Sequence, residues 1–208
     1  EGLAATRDEG LAQTKLQWWR DEIRRCAAGT PQHPVTRALA PVVSGHGLPL
    51  ERLLEMTDAA ETDIVHPGFE DLQALIDYCD RGSGALYTLA AQVLGARLRE
   101  TTRFAQNVGI GARLVEVIRD APHDAARGRI HVPGEVLRRH GVAAGDLSEP
   151  DASPAVRAGL AELGRAARER LERARTLLPA PERAGQRPLV LLAVLHERLL
   201  TRLRRRDY

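Results

Sequence analysis

The chain has 208 residues, enough for one domain with a substantial core. Its 30 Lys and Arg against 28 Asp and Glu leave a formal charge of +2, too balanced to argue for a nucleic-acid partner. No apolar run approaches the roughly 20 residues that span a bilayer, no signal peptide is visible, and Cys26 and Cys79 show no CxxC or metal-type spacing, so both are expected to be reduced thiols in a cytoplasmic setting.

Residue 1 is Glu and the sole methionine is Met56, which implies that an N-terminal portion precedes the chain. Leu11, Leu16, Trp19, Ile23 and Cys26 fall near helical spacing and predict a first helix over 3–27, ended by Gly29-Thr30-Pro31. Pro34 opens a second helix with Val35, Leu39 and Val42 along one side. A third, over 50–64, carries Leu53, Leu54 and Met56 inward. Its acids Glu61 and Asp63 read either as a solvated face or as groups turned toward a cavity.

After His66-Pro67-Gly68, a long helix over 69–94 places Leu72, Leu75, Ile76, Cys79, Leu86, Leu89 and Val93 at core spacing. Gly82-Ser83-Gly84 interrupts it. Glycines there cost about 1 kcal/mol each relative to alanine, so they imply a close helix crossing or the approach of a ligand. The next helix, over 98–120, should stop where Pro122 removes a backbone donor, leaving Asp124 on an exit turn. A short helix over 134–140, an irregular stretch over 141–154, an amphipathic helix over 155–178, a linker over 179–188 and a last helix over 189–205 complete the chain. No strand alternation or repeat emerges, so the fold class is all-α.

Glu116, Asp120 and Asp124 recur at intervals of four and so share one helix face, where three acids repel one another. Their counter-charge is either a divalent metal held through oxygen or the flanking Arg113, Arg119, Arg127 and Arg129. Trp18 and Trp19 are expected in the core or at a domain face. The seven histidines show no paired zinc spacing. The tail Arg202-Leu203-Arg204-Arg205-Arg206 suits a helix end that gains from positive charge, or a contact with an acidic membrane surface.

Several stretches in order carry a family resemblance: Leu16-Gln17-Trp18-Trp19-Arg20-Asp21-Glu22, His33-Pro34-Val35, Gly47-Leu48-Pro49, Tyr78-Cys79 before Ser83-Gly84, and above all Ile118-Arg119-Asp120-Ala121-Pro122-His123-Asp124 continuing through Arg127-Gly128-Arg129 to Val132-Pro133. The chain resembles the squalene/phytoene synthases. The resemblance implies a single isoprenoid-synthase-like domain over 1–208, lacking its N-terminal portion: a bundle of antiparallel helices around a central cavity. It implies a transferase of isoprenoid biosynthesis that joins two prenyl diphosphates head to head, with Mg²⁺ held by two aspartate-rich motifs. Carboxylates place magnesium against the leaving diphosphate, arginines take the remaining oxygens, and a dry apolar cavity protects the carbocation.

Carried over by residue, Asp120 and Asp124 are the catalytic second motif and, with Glu116, the metal ligands. Arg119, Arg127, Arg113 and Tyr78 are the substrate-binding set. Three departures accompany the match: Arg113 and Glu116 stand where the family has Gln and Asn, His131 replaces a Tyr, and bulky Tyr87 narrows the cavity. The first aspartate motif is absent from residues 1–208. Two alternatives to catalysis therefore stand: a non-catalytic relative acting as a respiratory complex I assembly factor, and a lipid-binding protein with peripheral membrane contact through Arg202–Arg206. The expected partners are a prenyl diphosphate or other lipid-like ligand, and no nucleic acid.

Overall fold

The structure, a computed structural model, describes residues 9–65 and 68–206, so the expected helix over 3–8 and the break at His66-Pro67 fall outside it. Among the described residues there is no strand, in agreement with the all-α expectation. Helices α1 (Glu9–Ala27), α2 (Pro34–His46) and α3 (Leu50–Val65) pack together, and α3 also rests on the segment α4 (Leu72–Cys79) to α5 (Ala85–Val93). The long α6 (Arg99–Ala125) runs through the middle, against α5, α8 (Pro154–Leu177) and α9 (Arg187–Arg205). The short α7 (Gly134–His140) lies on α8. Among the described residues no helix is long and apolar enough to cross a membrane.

Helix α6 is central because its middle is apolar on nearly every side. Val108, Ile110, Leu114, Val115, Val117 and Ile118 are all buried. Two glycines let its neighbours close in. A Cβ on Gly109 would stand 2.4 Å from the Ser83 carbonyl oxygen and 2.9 Å from the Gly84 Cα, and one on Gly111 would stand 2.7 Å from Leu171 Cγ. Residues two apart on a helix point about 200° apart, so the first glycine admits the α4–α5 segment and the second admits α8.

The interruption expected at Gly82-Ser83-Gly84 is a π-helical turn, Asp80–Gly84, that joins α4 to α5 without a break. Of the two reasons the glycines suggested, the close helix crossing is realised, at Gly109. The Asp80 carboxylate ties the turn to α6 by accepting from Gln106 Nε2 at 2.9 and 3.0 Å.

Helix α6 does not stop near Asp120 but continues through Pro122 to Ala125. Proline removes one donor in the final turn, and the turn is closed beyond it by Ala126 N donating to Pro122 O (3.1 Å) and Arg129 N to Asp124 O (2.9 Å). Gly128 then leaves in the left-handed region, at φ 76°. Asp124 is thus on the helix, one turn after Asp120.

In helix α2 Leu39 and Val42 pack against the core as expected, but Val35 is exposed and the buried positions are Thr36 and Val43. Glu22 is the reason. This side chain, 0% exposed, accepts from Gln32 N (2.7 Å), His33 N (2.8 Å), Arg25 Nε (2.7 Å) and the Thr36 hydroxyl, pinning the start of α2 to α1. Leu11, Leu86 and Val93, read as core by their spacing, are exposed as well. Trp18 is exposed and, with Trp19, meets His33 edge to face at the surface rather than in the core. The stretch after α7 holds a 3₁₀ turn, Ala144–Ser148, anchored by buried Leu147.

Candidate functional site

Polar side chains from α3, α4, α6 and α9 meet around the Asp63 carboxylate and the Arg113 guanidinium. The Tyr78 hydroxyl donates to Asp63 Oδ1 at 2.6 Å and accepts from Arg113 Nη2 at 2.7 Å. Arg113 Nη1 lies 3.4 Å from Glu116 Oε2, and the other oxygen of Glu116 lies 3.7 Å from His196 Nε2. At the opposite end His131 bridges two acids, 3.7 Å from Asp63 and 3.3 Å from Asp124. A line of polar side chains therefore runs Asp124, His131, Asp63, Tyr78, Arg113, Glu116, His196.

The titration of each group follows from its neighbours. Burial works to raise Asp63, but the nearby His131 ring and the hydrogen bond from Tyr78 hold its carboxyl below the usual range. Glu116 is lowered chiefly by His196, and His196 is raised chiefly by Glu116. Asp120 is lowered by Arg119, whose Nε and Nη2 grip it at 2.7 and 2.6 Å. Burial pushes the Tyr78 hydroxyl up and the Cys79 thiol up to about 12, so neither ionises near neutrality.

A cavity of about 310 Å³ opens beside this network, with Met56, Ala59, Ala60 and Leu86 on its apolar side and Asp63, Tyr78, Ser83 and Arg113 on its polar side. Tyr87, expected to narrow the cavity, packs half-buried against the core, and Leu86 takes that place.

Of the residues singled out in the sequence, Arg113, Tyr78 and Glu116 come together, and Asp124 joins them through His131. Asp120 is turned to Arg119, and Arg127 is exposed beyond the end of α6. Glu61 is held with Asp58 by Arg20 of α1, at 2.7 and 2.9 Å. The sequence reading gave no role to His131 or His196 and left Asp63 open between solvent and cavity; the altered residue at 131 was the one available signal.

Divalent-metal chemistry needs several oxygen ligands converging on one point. Among the described residues no three Asp, Glu, His or Cys side chains do so. Glu116, Asp120 and Asp124 each face a protein cation or histidine instead, so the side chains as they stand do not fit a magnesium cluster. Arg113→Gln is expected to lower stability by about 2 to 3 kcal/mol in urea denaturation, because Glu116 and Asp63 lose their shared cation while the site stays 27% open to water at Arg113. A loss under about 0.5 kcal/mol would mean that water replaces the guanidinium at no cost.

A helical bundle built on one buried helix, with an arginine–aspartate motif at the end of that helix and a cavity beside it, defines an isoprenoid-synthase-like fold. The squalene/phytoene synthase family model matches residues 4–208, and the chain belongs to that family. A squalene synthase from Alicyclobacillus acidocaldarius superposes with a TM-score of 0.85 at 26% identity, covering 95% of this chain and 75% of that one. The phytoene synthase of Mycobacterium bovis is 33% identical over 123 residues, 57% of this chain and 41% of that protein, so the chain matches about two fifths of that relative's length. A mouse protein named NADH dehydrogenase (ubiquinone) complex I, assembly factor 6, is 25% identical over 212 residues, 99% of this chain and 63% of that protein.

Proposed function

We propose that this chain is a non-catalytic member of the squalene/phytoene synthase family, serving the assembly of a membrane-bound respiratory complex. The observation that carries the reading is Arg113, a fixed cation held between Tyr78 and Glu116 where the family resemblance calls for a neutral amide. It faces Glu116, one of the three acids that a metal would otherwise neutralise, while Asp120 is paired with Arg119. The cavity beside Arg113, about 310 Å³, lies within the roughly 300–1,000 Å³ of pockets that take one small ligand. The match to the mouse assembly factor along nearly the whole chain is compatible with this reading, although a phytoene synthase of Thermus thermophilus matches as fully, 27% identical over 207 residues and 100% of the chain.

Mg²⁺-dependent head-to-head condensation of two prenyl diphosphates is the second reading, favoured by Asp120 and Asp124 standing one turn apart on α6. In it Asp120, Asp124 and Glu116 hold magnesium, and Arg119, Arg127, Arg113 and Tyr78 face the diphosphate. It requires Arg119 to release Asp120.

Incubation of the protein with farnesyl or geranylgeranyl diphosphate and Mg²⁺ separates the two. The proposal expects no diphosphate release above the protein-free background, and a deletion strain with less assembled NADH-oxidising complex on native gels. Turnover that Asp120→Asn abolishes without loss of thermal stability would establish the synthase reading instead.

A further inference from the structure

Helix α9 carries a second surface, on the side turned away from Glu116. At about 100° per residue, Arg187, Leu191, Leu195, Arg198, Arg202 and Arg205 fall on one stripe about 80° wide. All six are exposed. Leu191 and Leu195 are 60% and 48% exposed, high for leucines in a helix that already buries Leu189, Ala193 and Leu200. No acid falls on the stripe, since Glu197 lies on another side and pairs with Arg175 of α8.

An apolar groove of about 670 Å³ opens beside the stripe, where α8 ends and α9 begins. Phe104, Leu178, Ala193 and Val194 line it together with Arg175, Arg183 and Arg187. A second hollow of about 550 Å³ continues along α9 past Arg198, Arg202 and Arg205. Leu191 and Leu195 stand one turn apart on the basic stripe, and a purely apolar partner for them would leave the arginines desolvated and unpaired. An anionic lipid surface answers to both, because leucines enter the acyl boundary while guanidinium groups take the phosphates.

We propose that α9 docks this protein on an anionic phospholipid surface, with Leu191 and Leu195 inserted and Arg187, Arg198, Arg202 and Arg205 on the lipid phosphates. The surface is separate from the Arg113 network, so the docking stands or falls independently of whether that network turns over substrate.

Co-sedimentation with phosphatidylcholine vesicles, with and without phosphatidylglycerol, tests it. Binding is expected only to the anionic vesicles and should weaken as salt is added. Arg198→Gln, Arg202→Gln and Arg205→Gln together should reduce partitioning about a hundredfold, about fivefold for each charge. Leu191→Asp with Leu195→Asp should remove binding while the circular-dichroism melt stays unchanged, since both side chains are exposed. Equal binding to neutral vesicles, no binding to either, or binding indifferent to both variants overturns the proposal. So does a concentration-dependent dimer in sedimentation equilibrium that the leucine variant abolishes while vesicles are ignored, because the face then belongs to a second copy of the chain.

Discussion

Gly109→Ala is expected to lower stability by at least about 3 kcal/mol and the melting temperature by roughly 10 °C. The new methyl would stand 2.4 Å from the Ser83 carbonyl oxygen and 2.9 Å from the Gly84 Cα. Both are backbone atoms, so no side chain can swing aside. Relief requires α6 to part from the π-helical turn, and that strains the bonds from Gln106 to Asp80 and opens a gap beside buried Leu75 and Ala85. The contrast is Gly45→Ala in α2, where the added Cβ meets nothing within 4 Å and a gain of about 0.5 to 1 kcal/mol is expected. Equal melting temperatures for the two variants would show that the crossing at Gly109 is slack.

Glu22→Ala is expected to be comparably damaging, with the melting temperature falling on the order of 10 °C. The carboxylate is wholly enclosed, and its removal strands two backbone donors at the start of α2, the Thr36 hydroxyl and Arg25. Burial works to raise its pKa, but hydrogen bonds from Thr36, His33, Arg25 and Gln32 outweigh that and hold it at about 2, against 4.5 for an ordinary glutamate. A depressed pKa means that the unfolded chain binds the proton first. The stabilisation is therefore complete above about pH 4.5 and fades as the pH falls toward about 2. Glu22→Gln, neutral and of similar shape, should lose less than alanine and should flatten the decline of stability with acid over that window. An unchanged acid profile would mean that other carboxylates govern it.

These cases also mark how far the amino-acid pattern reaches. The π-helical turn was legible as an interruption because two glycines within three residues make a poor helix, and the ends of α7 followed from Gly134 and Gly141. The start of α2 was not legible, although Leu39 and Val42 do face the core. Periodicity chose Val35, whereas the position of Thr36 is decided by a hydrogen bond to a residue fourteen places earlier, which no local window contains. The run past Pro122 was missed for a related reason: a proline costs an interior helix its continuity, but near the end it costs a single bond that the following turn makes up.

The candidate site divides the same way. Glu116, Asp120 and Asp124 could be placed on one face from spacing alone, and Arg113 was visible as a cation standing where the resemblance calls for a neutral amide. What those charges meet was out of reach, because His131, which joins Asp124 to Asp63 of α3, and His196 of α9, which faces Glu116, come from stretches far apart in the chain and only tertiary packing brings them to α6.

In evolutionary terms Arg113, Glu116 and Tyr78 form a set that resists piecemeal change. Restoring an amide at 113 alone leaves Glu116 beside His196 only and strips the Tyr78 hydroxyl of its donor. Restoring an amide at 116 alone leaves Arg113 with a smaller share of negative charge to answer it. Each single substitution is expected to give a less stable protein than the intact set, so an amide-lined cavity is reached without that loss only by paired changes.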